Sequence, residues 1–190
     1  MGLSVAHRVR DAFRAGFVRR WHANPDLADT IDPVHGHAGR VARLVALLHP
    51  NPSAQVLIAA LAHDDGEIVV GDLSAPFKRE NPDIAIAADA MEARHPARIW
   101  GADPLANLEP FDRDLLKLCD RLDAYLWVQK HAQYIPAQPA WREARDWLLS
   151  EARRLELGPV VHDLIAAHAV DVRAEGLPFR VSPQAVSEGV

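Results

Sequence analysis

Apolar residues recur at helical spacing along nearly all of this 190-residue chain, and no stretch alternates apolar with polar residues for long enough to build a sheet. That pattern predicts an all-α protein. The composition is 49% apolar and 25% charged, which is material for one ordinary core. The expected architecture is therefore a single helical bundle over residues 1–177, with a polar, unpatterned tail over 178–190.

Local signals place the elements. A first helix is predicted from Val5 to Arg20, and Asn24-Pro25-Asp26 opens a loop that ends at Asp32-Pro33. Asp as N-cap and Pro at the first helical position start a second helix, which runs to Leu48. Ser53 caps a third through His63, and Val56 to Ala62, apolar on every side, marks it as central and buried. Gly66, Gly71 and Pro76 bend residues 64–78 into a loop before a helix from Asn81-Pro82 to Ala93. Pro96, Gly101 and Pro104 mark a connection. Further helices are predicted over Phe111 to Lys130, Trp141 to Leu155 and Val160 to Val170.

A formal charge of -5 without a Lys/Arg cluster speaks against binding duplex nucleic acid, where neutralising phosphates dominates. Small phosphorylated ligands need only a few cations, and a divalent metal can supply much of that charge. The longest apolar runs fall well short of the roughly 20 residues that cross a bilayer, and the N-terminus has no signal-peptide core, so a cytoplasmic protein without membrane partners is expected. The lone cysteine, Cys119, cannot form an internal disulfide, and its apolar helical surroundings predict a buried, inert thiol.

Two His-Asp pairs occur. His162-Asp163 lies on an ordinary amphipathic pattern and reads as structural. His63-Asp64 ends the most apolar helix, where burying two ionisable groups is costly unless they are paired or hold a metal. His37 shares a face with Val41, Leu44, Val45 and Leu48 and points inward, while His35 turns outward. Asp120 and Asp123 lie with Leu116 and Trp127 on one stripe of the long helix. Leu115, Cys119, Leu122 and Leu126 form another, and Trp127 reads as core. Imidazoles and carboxylates on three core helices suit a divalent ion such as Mn, Co, Zn or Fe.

The series His37, His63-Asp64, Asp120 resembles the HD-domain phosphohydrolases. The likeness extends to Arg20-Trp21, to Gly36-His37-Ala38-Gly39-Arg40-Val41-Ala42, to His63-Asp64-Asp65-Gly66-Glu67, to Gly71-Asp72-Leu73-Ser74-Ala75-Pro76-Phe77-Lys78, and to Lys117-Leu118-Cys119-Asp120 with Ala124-Tyr125-Leu126. These stretches are similar to the 5'-deoxynucleotidase branch and to phage-type dATP triphosphohydrolases. Gly36 departs from it, since many relatives carry Glu there.

The resemblance implies that His37, His63, Asp64 and Asp120 hold the metal and that Glu67 is the catalytic carboxylate, acting with Asp64. Arg20 and Lys78 would meet phosphate, Asp72 the sugar 3'-hydroxyl and Trp21 the base. The implied activity is hydrolysis of dATP or another deoxynucleoside triphosphate to deoxynucleoside and triphosphate, with a second Mg accompanying the phosphates. The alternatives are a 5'-deoxynucleotidase acting on monophosphates and a catalytically silent nucleotide-binding module. A homo-oligomer, dimer or hexamer, is also implied.

Overall fold

A computed structural model describes residues 3–174, with side chains through residue 169. The expected 178–190 tail lies outside the described residues. Among them the structure is all-α, and the only extended pairing is an isolated antiparallel bridge between Arg19 and Pro33. The chain divides into two compact units, Met1–Leu116 and Lys117–Val190.

The first unit contains α1 (Val5–Ala15), α2 (Val34–Leu48), α3 (Ala54–Ala62), a 3-10 turn (Asp65–Ile68), α4 (Ala75–Glu80), α5 (Pro82–Glu92), α6 (His95–Trp100) and the start of α7 (Pro110–His131). Its centre is the packing of α2 on α3. Val34, Ala38, Val41 and Val45 of α2, with Val56, Ala59, Ala60 and Ala62 of α3, are almost fully buried. Ser53 accepts the Val56 N–H at 3.2 Å, an N-cap worth about 1 kcal/mol. α3 is not buried all round as its composition predicts. Ile58 and Leu61 are substantially exposed, because a helix this short needs only one buried side to seat it.

α1 is shorter than predicted. After Ala15 the chain turns through Gly16, the His35 ring reaches the Ala12 carbonyl with Nε2 at 3.3 Å, and residues 16–20 leave the helical path to pair with 32–35. Val34 N–H donates to Val18 O at 2.9 Å, and Arg20 N–H to Asp32 O at 3.0 Å. Arg20 and Trp21 thus sit in a closed loop, not on a helix. α2 begins one residue later than predicted, after Pro33, and Asp32 makes no capping bond. The predicted 64–78 loop contains the 3-10 turn and the beginning of α4, and α6 occupies the connection after Ala93.

The second unit holds the rest of α7, then α8 (Pro139–Arg154) and α9 (Gly158–Ala174), with α8 packed on α9. Leu118, Cys119, Leu122, Tyr125 and Val128 of α7 are buried, as are Leu148 and Ala152 of α8 and Val161 of α9. Leu126 and Trp127 are half-buried, and the Trp127 ring stacks on His131 with centroids 4.1 Å apart.

Candidate metal centre

α2 and α3 bring three of the predicted ligands together. His37 is fully buried on the inner side of α2, between Val34 and Val41, and His63 and Asp64 follow directly from α3. The two Nε2 atoms are 3.2 Å apart, and Asp64 Oδ2 lies 3.3 Å from each. His63 Nδ1 is 3.0 Å from the Ala60 carbonyl oxygen. Only a protonated Nδ1 can make that bond, so the Nε2 lone pair faces His37.

The triangle suits a cation. Ligand atoms bound at about 2.0–2.2 Å to a tetrahedral or octahedral ion stand roughly 3 to 3.5 Å from their neighbours. These three atoms form the metal-capable cluster found among the described residues. Asp120 is half-buried on α7 in the second unit, and its assignment as a ligand rests on the sequence.

The chain past Asp64 wraps back in the 3-10 turn, with Glu67 N–H donating to Asp64 O at 3.0 Å. Gly66 is pressed against the end of α5, where a Cβ would stand 2.5 Å from the Glu92 carbonyl oxygen, so no larger residue fits without moving the turn. Glu67 Oε2 is buried with no hydrogen-bond partner. Burial pushes its pKa up to about 9. The Asp64 and Asp72 carboxylates and Glu92 raise it, while Arg20 opposes them. A carboxyl in this setting is held short of positive charge, the condition that a bound cation relieves.

The other expected residues gather on the same unit. Trp21 is half-buried with φ of 65°, a backbone state that costs a non-glycine residue on the order of 1 to 3 kcal/mol. Its backbone N–H donates to Asp72 Oδ2 at 3.3 Å, and the Arg20 guanidinium lies 5.2 Å from its ring centroid. Lys78 is held by Asp89 at 2.9 Å and by Glu92 at 3.8 Å. Burial lowers its pKa, but these two carboxylates outweigh burial and the net direction is upward.

Glu92 stands beside these acids and is absent from the residues that the sequence singles out. Burial and the charges of Asp89, Asp64 and Asp72 raise its pKa against the pull of Lys78, and Oε1 is buried without a partner. A signal for it exists, because Ala85, Ala88 and Glu92 share the inward side of α5, so an acid stands on the buried stripe. His162 and Asp163, by contrast, are exposed, with His162 Nδ1 3.2 Å from Asp163 Oδ1. Comparison with protein-family models, curated proteins and solved structures returned no match.

Proposed function

We propose that this protein is a metal-dependent phosphohydrolase acting on a deoxynucleotide. The observation that carries the reading is the convergence of His37 Nε2, His63 Nε2 and Asp64 Oδ2 within 3.3 Å, one turn of chain from the unpartnered Glu67 carboxyl. His37, His63 and Asp64 would hold a divalent transition metal. Such an ion supplies a water of lowered pKa and polarises a phosphoryl oxygen. Glu67 Oε2 orients the attacking water and takes its proton. The water oxygen bonds to the α-phosphorus as the P–O bond to the nucleoside breaks, and the proton taken by Glu67 passes to the leaving 5'-oxygen. Trp21 offers a half-buried plate for the base, Asp72 an acceptor for the sugar hydroxyl, and Arg20 a guanidinium for phosphate.

The first form of the activity is release of intact triphosphate from dATP, for which the guanidinium groups beside Trp21 are those of Arg20 and Arg40, both bound to Asp32. One observation favours the monophosphate as substrate instead. Lys78 is engaged by Asp89 and Glu92, so the β and γ phosphates must compete with these carboxylates for it and draw on additional Mg. A nucleotide panel incubated with the purified protein and Mn, Co or Zn, with products separated by chromatography, tests the proposal. Turnover of a deoxynucleotide supports it. Binding without turnover makes the protein a silent nucleotide-binding module.

A further inference from the structure

Asp32 sits just before α2, where its local chemistry is that of a helix cap, yet its carboxylate caps nothing. The side chain is completely shielded from solvent. Oδ2 accepts from the Trp21 indole Nε1–H at 3.0 Å and from Arg20 Nη1 at 3.3 Å, and Oδ1 accepts from Arg40 Nη2 at 2.8 Å. Its own backbone carbonyl accepts the Arg20 N–H at 3.0 Å. One buried residue therefore holds Arg20 at main chain and side chain, and Trp21 by its ring.

A buried carboxylate is expensive unless it is paired and hydrogen-bonded, and two guanidinium groups meet that demand here. Gly36 lies beside the pair: a Cβ there would stand 3.4 Å from Arg40 Nη1 and 3.7 Å from Asp32 Oδ1, in ordinary van der Waals contact with both. The same hub fixes a residue whose backbone is strained. Trp21 is held in its left-handed conformation by two carboxylates, Asp72 at the backbone N–H and Asp32 at the indole. Both the backbone and the ring of Trp21 are thus tied to carboxylates.

We propose that Asp32 is a positioning residue for nucleotide recognition, setting the Trp21 plate and the Arg20 guanidinium in place before the substrate arrives. The proposal rests on the phosphohydrolase reading for its substrate, but not for its geometry. Preorganisation of this kind acts on substrate binding, because the groups it orders recognise the base and phosphate and do not take part in proton transfer.

The experiment pairs kinetics with a spectrum. Trp21→Phe identifies the Trp21 indole N–H signal in a ¹⁵N-correlated proton spectrum, and Asp32→Ala is expected to move that signal upfield and speed its exchange with solvent. With the metal-loaded enzyme, Asp32→Ala is expected to raise KM for the deoxynucleotide at least about tenfold with kcat within about threefold. Hydrolysis of p-nitrophenyl phosphate, which has neither base nor sugar but still presents a phosphate to Arg20, should fall by clearly less than the deoxynucleotide reaction. Asp32→Asn keeps an acceptor oxygen and should give the same changes in smaller measure. It carries the comparison if the Ala variant does not fold.

An unmoved Trp21 signal, an unchanged nucleotide KM, or equal losses on both substrates overturns the proposal. Wild-type protein inactive on every nucleotide overturns the phosphohydrolase reading instead. The positioning claim is then decided by dAMP, which must move the Trp21 signal in wild type and fail to do so in Asp32→Ala.

Discussion

His37 and His63, 26 residues apart in sequence, face each other through their Nε2 atoms at 3.2 Å, and Asp64 Oδ2 completes the triangle. If these atoms hold a metal, removing one leaves too few ligands for tight binding. His63→Ala and Asp64→Ala should lose stoichiometric transition metal and nucleotide hydrolysis together, as read by elemental analysis and turnover. His162→Ala should change neither, since that imidazole is exposed. Full metal content in both of the first two variants would refute the assignment.

Glu67 separates binding from chemistry. Its Oε2 lies outside the ligand triangle, so Glu67→Gln should keep metal and nucleotide affinity while turnover falls about 10²-fold or more. Stability gives an independent readout. In metal-free protein the folded state holds this proton up to about pH 9, whereas the unfolded chain releases it near the ordinary value of 4.5. Glu67 therefore costs the folded state nothing below pH 4.5 and progressively more as the pH rises toward 9. Metal-free Glu67→Gln should melt above wild type at pH 8, with the gap closing at pH 4. Equal melting at both pH values would contradict the raised pKa.

The two imidazoles and Asp64 are legible in the sequence because their signals are local: a histidine on an apolar stripe, and a His-Asp pair ending an apolar helix with a Ser53 cap. What escapes the sequence depends on distant partners. The periodicity through Phe13 and Phe17 carries the first helix on to Arg20, yet the turn at Gly16 and the strand-like pairing with residues 32–35 end it at Ala15. Asp32 beside Pro33 has the composition of an N-cap, and its carboxylate is instead taken by Arg20, Trp21 and Arg40. Helix propensity is a weak prior, and tertiary contacts override it at these positions.

Cys119 offers a test of the second unit alone. Burial, reinforced by the neighbouring Asp120 carboxylate, pushes the thiol up to about 12, and thiolate is the reactive form. The folded protein should therefore resist iodoacetamide at pH 8 and react once unfolded in guanidinium chloride, as followed by mass spectrometry. Rapid labelling of native protein would mean that α7 does not bury this residue.

The last prediction concerns the substrate, where both reactions break the same bond and differ only in the charge the site must carry. Water attacks the α-phosphorus in each case and the nucleoside departs, so β and γ phosphates add negative charge without changing the chemistry. Glu67, Asp72 and Glu92 already make the surroundings acidic, and Lys78 answers Asp89 and Glu92. A triphosphate must therefore draw on Lys78, Arg20 and Mg more heavily than a monophosphate does. Lys78→Ala should lower kcat/KM for dATP by about tenfold and for dAMP by less than about threefold, and raising Mg should recover part of the dATP loss. Chromatography of the wild-type reaction should show deoxyadenosine and intact triphosphate. If dAMP is hydrolysed efficiently while dATP only inhibits, the engaged Lys78 is the reason, and the protein is a 5'-deoxynucleotidase.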